Sequence, residues 1–236
     1  MAPAIIIPAS GNHTATLIVA HGLGDSGAGW AFLAQQLNAK KFSHVKFIFP
    51  NAPQIPITLN GGMSMPGWYD IKSLSGINAE QDKDNIVKSQ QVFHKMIDAE
   101  VDAGIPADRI AIGGFSQGGA MSLFSGLTYP KKLAGIFGLS CYLLLQKEFQ
   151  QFVAEGGDAN KETEIFMAHG SDDPVVMFEY GKLSAEVLKK SGYNVDFKVY
   201  QGMGHSACPE ELEELETYLG TVIPATTTTA PSQGNL

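Results

Sequence analysis

Short apolar runs alternate with amphipathic stretches along most of the chain. Residues 16–20 (Thr-Leu-Ile-Val-Ala), 45–49, 109–113, 133–139 and 164–168 are largely apolar at successive positions, the pattern of strands buried on both faces of a sheet. Between them the spacing changes. Ile86, Phe93, Met96, Ile97 and Val101 fall near helical intervals and predict an amphipathic helix over 85–101. Further helices are expected from Trp30 to Leu37, from Gly119 to Leu127 ahead of Pro130, from Phe178 to Lys190 ahead of Gly192, and over 210–219. Residues 195–200 alternate as an edge strand does. Strand and helix in turn predict an α/β protein, a mostly parallel central sheet with helices on both faces. One domain is expected over 1–223, followed by a low-complexity polar tail over 224–236 that is expected to be disordered.

One stretch breaks the rhythm. From Asn51 to Asn78 the chain is rich in Pro, Gly and Met and shows no clear period. Loops of that length in a compact domain usually serve as lids or binding walls. Ile55, Ile57, Leu59, Met63, Met65, Trp68 and Tyr69 crowd it, and apolar side chains without periodicity suggest the wall of a groove. Such a groove suits a fatty acyl chain, because each buried methylene contributes about 0.8 kcal/mol.

Charge narrows the partners. A formal net charge of −8 argues against nucleic acid, which needs clustered Lys and Arg, and gives no polybasic attraction to anionic lipid. A transient apolar contact is the only membrane association left open. The two cysteines, Cys141 and Cys208, form no disulfide framework, so free thiols in a reducing compartment are expected. Met1-Ala-Pro-Ala-Ile-Ile-Ile-Pro carries no basic residue and only a short apolar run, and reads as neither a signal peptide nor a span. The expectation is a cytoplasmic protein with access to the nucleus, a monomer or weak homodimer. No metal or organic cofactor is implied, since nothing resembles a zinc ligand set.

Gly114-Phe115-Ser116-Gln117-Gly118 sits between an apolar strand and a helix, the setting of a nucleophile elbow in the α/β-hydrolase pattern. The turn lifts the Ser116 hydroxyl out of the sheet and puts the Gln117 N–H at a helix start, facing a developing oxyanion. A serine needs a base to take its proton, and in this fold acid and histidine follow it in the chain. Of the six histidines only His169 and His205 do so. His169 ends a strand, where a buried structural histidine is the commoner role. His205 lies in the flexible Gly-Met-Gly-His-Ser loop beyond the last strand and is the expected base. For the acid, Asp172 and Asp173 both qualify by position, one as a helix cap. Pro174 holds Asp173 extended, which favours Asp173. The glycine-rich His21-Gly-Leu23-Gly24 loop after the first long strand can offer the Leu23 N–H as the second oxyanion donor.

His-Gly-Leu-Gly-Asp, Pro-x-Gly-Trp-Tyr-Asp-Ile, Gly-Gly-Phe-Ser-Gln-Gly-Gly-Ala, His-Gly-x-x-Asp-Pro-Val-Val and Gly-Met-Gly-His-Ser together resemble the acyl-protein thioesterase branch of the phospholipase/carboxylesterase family. The likeness runs from about Leu17 to Ile223. It implies a Ser116, Asp173, His205 triad, an oxyanion hole from Leu23 and Gln117, and a long-chain fatty thioester on a protein cysteine as substrate. Related members also cleave lysophospholipids and small esters, and a broad carboxylesterase or lysophospholipase is the rival expectation. A binder that captures an apolar ligand without turnover is disfavoured by the intact triad. The candidate substrate-binding residues are Leu59, Met65, Trp68, Tyr69, Tyr142, Val175 and Val176. The chain departs from the pattern where Tyr142-Leu143-Leu144 replaces Trp-Leu-Pro after Cys141, which bears on chain-length preference. It also lacks the N-terminal cysteine that some relatives lipidate.

Overall fold

The computed structural model describes residues 2–37, 41–73, 76 and 80–226, so most of the expected tail lies outside the described residues. The elements run β1 (Ile5–Ile7), β2 (Ala15–Ala20), α1 (Gly27–Trp30), α2 (Phe32–Gln36), β3 (Val45–Phe49), β4 (Gln54–Ile57), β5 (Met63–Pro66) and α3 (Lys83–Asp102). There follow β6 (Ile110–Phe115), α4 (Gln117–Leu127), β7 (Gly135–Leu139), α5 (Phe149–Glu155), β8 (Ile165–Gly170), α6 (Phe178–Lys190), β9 (Val195–Tyr200) and α7 (Pro209–Val222). The main sheet has seven strands in the order β1-β3-β2-β6-β7-β8-β9. All its pairings are parallel except β1 with β3, and β9 lies at the edge as its alternation predicts.

Period-two alternation within the strands divides the core. Ile18, Ile48, Ile112, Ile136 and Met167 point to one face, where residues of α3, α4, α5 and α6 cover them. Leu17, Val19, Phe47, Phe49, Phe137 and Phe166 point to the other, under Trp30, Leu33, Leu215 and Leu219 from α1, α2 and α7. Burial on both faces is why these strands read as continuous apolar runs.

Two expectations need correction. The helix expected from Trp30 is two short pieces, α1 and α2, meeting at Ala31. The 51–78 segment is not all loop: β4 and β5 form a hairpin in which Ile55 faces Met65 and Ile57 faces Met63. Its turn is made by Gly61 and Gly62, both at positive φ (66° and 79°), where a side chain is strained. Asp70 ties the hairpin down by accepting the Thr58 N–H at 2.7 Å, and its own N–H donates to Asp82, the N-cap of α3. The short β1 and α5 are additional elements. β1 takes its order from pairing with β3, and α5 buries only Phe149 and Val153, too little to print a period.

Candidate active site

Ser116 closes β6 and opens α4 with φ 53° and ψ −122°, a conformation costly for a residue with a side chain. The surroundings leave it no alternative. Its N–H donates to Leu139 O on β7 at 2.8 Å, and a Cβ on Gly114 or on Gly118 would come within 2.3 Å of Ala20 O. The elbow is thereby pressed against the end of β2, which brings Gly22 alongside Ser116: a Cβ on Gly22 would lie 3.3 Å from Ser116 Cβ.

His205 reaches the serine from the loop beyond β9, with Nε2 2.9 Å from Ser116 Oγ. Its Nδ1 is 2.7 Å from Asp173 Oδ2. An ionised carboxylate only accepts, so Nδ1 carries the proton and Nε2 presents its lone pair to the hydroxyl. Asp173 is buried, and its Oδ1 accepts the N–H groups of Val175 and Val176 at 2.8 and 2.9 Å. Burial alone pushes its pKa up, but the hydrogen bonds from His169, His205 and Val175 outweigh that and hold the carboxyl well below the usual carboxylate range. Asp172 instead faces solvent and accepts the Ser171 hydroxyl. His169 is fully buried, with Nε2 2.7 Å from Val176 O and 3.4 Å from Asp173 Oδ2, so its main bond braces the loop that carries Asp173. The loops after β8 and β9 are laced together by Ser171 N–H to Tyr200 O and Asp172 N–H to Met203 O.

Among the described residues neither the Leu23 nor the Gln117 N–H donates to any protein acceptor, as an oxyanion hole requires. Three side chains hold these amides in place. Gln117 accepts the Trp68 N–H at 2.8 Å and donates to Tyr69 O at 2.7 Å. Trp68 Nε1 donates to His21 O at 2.9 Å. His21 accepts the Ala52 N–H on Nε2 at 3.0 Å, so its Nδ1–H is the donor to Gly22 O at 2.7 Å. Burial lowers the His21 pKa, in keeping with a neutral ring. Gly24 N–H donates to Pro66 O and joins this loop to the hairpin.

The candidate substrate residues divide. Leu59 and Val175 are exposed, and Met65 lies beside Gly24 of the loop after β2. Tyr69 and Tyr142 join hydroxyls at 3.0 Å and line a small pocket that includes none of Ser116, Asp173 and His205. Trp68 departs from the expectation of a groove wall. It is 1% exposed and edge-on to Phe93, because its indole holds the His21 carbonyl from the core side. Val176 is likewise buried, its carbonyl engaged by His169. Cys141 and Cys208 are unpaired thiols, Cys141 buried and Cys208 partly so. No group of metal-binding side chains occurs among the described residues.

The fold and this serine–histidine–aspartate chain define an α/β-hydrolase. The profile of the phospholipase/carboxylesterase family matches residues 1–223, and the chain belongs to that family. It is 53% identical over 227 residues to acyl-protein thioesterase 1 of Neurospora crassa, covering 94% of this chain and 92% of that one. Acyl-protein thioesterase 1 of Yarrowia lipolytica is 48% identical, over 92% of this chain and 96% of its own. Among solved structures, acyl-protein thioesterase 2 of Zea mays superposes with a TM-score of 0.84 at 29% identity, covering 94% of this chain and 100% of that one. SOBER1 of Arabidopsis thaliana gives 0.82 at 33% identity, over 89% and 99%.

Proposed function

We infer that the protein is an acyl-protein thioesterase, a serine hydrolase that removes long fatty acyl chains from protein cysteines. The observation that carries this is the continuous hydrogen-bonded chain from Ser116 through His205 to Asp173, beside two amides without acceptors. Identity of about half to the Neurospora thioesterase supports the substrate class.

In this reading Ser116 Oγ attacks the thioester carbonyl carbon as its proton passes to His205 Nε2. Asp173 holds the opposite N–H and stabilises the imidazolium. The carbonyl oxygen, now an anion, takes the N–H groups of Leu23 and Gln117. Collapse breaks the C–S bond, and Nε2 returns the proton to the leaving sulfur. A thiol pKa of about 8.5 makes that departure less dependent on acid help than an alkoxide's. Water then gives a proton to Nε2 and attacks the acyl-enzyme. The ester bond to Ser116 breaks, fatty acid leaves, and the proton returns to Oγ.

The proposed setting is the cytoplasm with access to the nucleus, as a monomer or weak homodimer. A transient apolar contact with membranes is supported by Leu59 and Met63 on the β4–β5 hairpin, 43% and 65% exposed. No described helix is long and apolar enough to cross a membrane. The family's own description, phospholipase and carboxylesterase, favours one second reading, a broader esterase or lysophospholipase working through the same residues. Comparing kcat/KM for a palmitoylated peptide with that for lysophosphatidylcholine decides. Preference for the peptide is expected, and preference for the lipid would install the second reading.

A further inference from the structure

The acyl-transfer steps leave one neighbouring feature unused. A groove of about 510 Å³ runs between α1–α2 and the start of α7, with His205 on its lining. One wall is a row of rings. Phe115 lies 4.8 Å from His205, Trp30 lies 5.3 Å from Phe115, and Phe32 lies 5.6 Å from Trp30, measured between centroids. Phe32 is 42% exposed, and Leu212 contributes from α7. Asp25 is the only acidic side chain on the lining among the described residues. Its carboxylate is packed so closely on Gly29 that a Cβ there would come within 2.3 Å of it. Among the described residues Asp25 has no cationic partner, and its carboxylate accepts no hydrogen bond.

The reaction fixes which part of a substrate can enter. In the tetrahedral intermediate the former carbonyl oxygen points at the Leu23 and Gln117 amides. The leaving sulfur must lie next to His205 Nε2 to receive its proton. Whatever continues beyond that sulfur is therefore delivered beside the groove that His205 lines.

We propose that this groove is a subsite for the polypeptide flanking the acylated cysteine, and that it selects a basic side chain laid over the accessible Phe115 and Phe32 rings, which the buried Trp30 backs, with its cation at Asp25. The proposal rests on the thioesterase reading above. A cation is attracted to the faces of aromatic rings and to the carboxylate at once. A fatty acyl chain in the same place would cover Asp25 without pairing it, at the cost of desolvating a charge. The net charge of −8 adds long-range attraction for basic peptides, which salt screens.

The test uses two octanoylated peptides that differ only in Lys or Gln next to the S-acyl cysteine, and a small activated octanoyl ester. Each enzyme is judged by its own Lys-to-Gln ratio of kcat/KM, which cancels any general effect of a substitution. For the wild type the ratio is expected to be about 5 or more at low salt, carried by KM, and to shrink as salt rises. In Asp25→Asn it should fall towards about 1–2, and Phe32→Ser should lower it as well. A wild-type ratio near 1, or one that survives Asp25→Asn, would overturn the subsite. So would a changed preference between short and long acyl esters in Phe32→Ser, which would assign the groove to the acyl chain. If neither peptide is deacylated while the ester is hydrolysed, the thioesterase reading fails on its own. The subsite is then judged by whether the deacylated Lys peptide inhibits ester hydrolysis several-fold better than the Gln peptide, and equal inhibition would overturn it.

Discussion

The indole Nε1–H of Trp68 donates to the His21 carbonyl oxygen at 2.9 Å, and the same residue's backbone N–H donates to the side chain of Gln117. One residue from the hairpin segment therefore touches both segments that carry the proposed oxyanion amides, Leu23 on one and Gln117 on the other. Both bonds are buried, so each removes a polar group from water that would otherwise be left unpaired.

Trp68→Phe keeps an aromatic ring against Phe93 but leaves the His21 carbonyl without its donor. The expected result is a folded protein destabilised by about 1–3 kcal/mol. Its kcat should fall by about tenfold or more with little change in KM, since loss of a whole oxyanion donor costs about 10²–10³. Urea melts and steady-state kinetics on one ester check both. Unchanged kcat would mean that the oxyanion loop holds its position without the indole.

The neighbouring aspartates separate cleanly by geometry, because only Asp173 meets His205. Asp173→Asn is expected to lower kcat on the order of 10⁴-fold by favouring the wrong imidazole tautomer. Asp172→Asn should stay within a few-fold of the wild type. Comparable losses in the two variants would count against the assignment.

Glu211, on the first turn of α7, is fully buried and has no hydrogen-bond partner at either carboxyl oxygen. Burial without a partner pushes its pKa from 4.5 up to about 8. A carboxyl raised on folding contributes its stability in full below the unfolded value, and loses it as pH rises through the folded one. Stability should therefore decline between about pH 4.5 and about pH 8 on account of this group. Glu211→Gln, which mimics the protonated form, should be close to the wild type in urea melts at pH 5 and more stable at pH 8.5. A constant difference between the two proteins at both values would show that Glu211 does not titrate in this window.

Much of this is legible in the sequence, for a physical reason. Strands β2, β3 and β6 to β8 are buried on both faces, so their apolar runs stand out, and the elbow is marked by glycines that the contact with Ala20 O makes obligatory. The β4–β5 hairpin was not legible. Ile55, Ile57, Met63 and Met65 do alternate, but Pro56 and Pro66 remove ladder donors and disguise the strands. The brace formed by His21, Trp68 and Gln117 was hidden for another reason. Its bonds join segments 47 and 49 residues apart, and no local pattern records a long-range hydrogen bond. A tryptophan among prolines and glycines was the one local signal, and it pointed to a groove wall rather than to the core.

The central claim is that Ser116 carries the acyl group between the thioester and water. Mixing the protein with a palmitoyl thioester, quenching in acid within the first turnovers and measuring intact mass tests it most directly. The account predicts a transient adduct of one palmitoyl group that maps to Ser116 on digestion. Folded Ser116→Ala should form no adduct and should lose turnover on the order of 10⁶-fold. An adduct on Cys208 or Cys141, or near-normal turnover by folded Ser116→Ala, would contradict it.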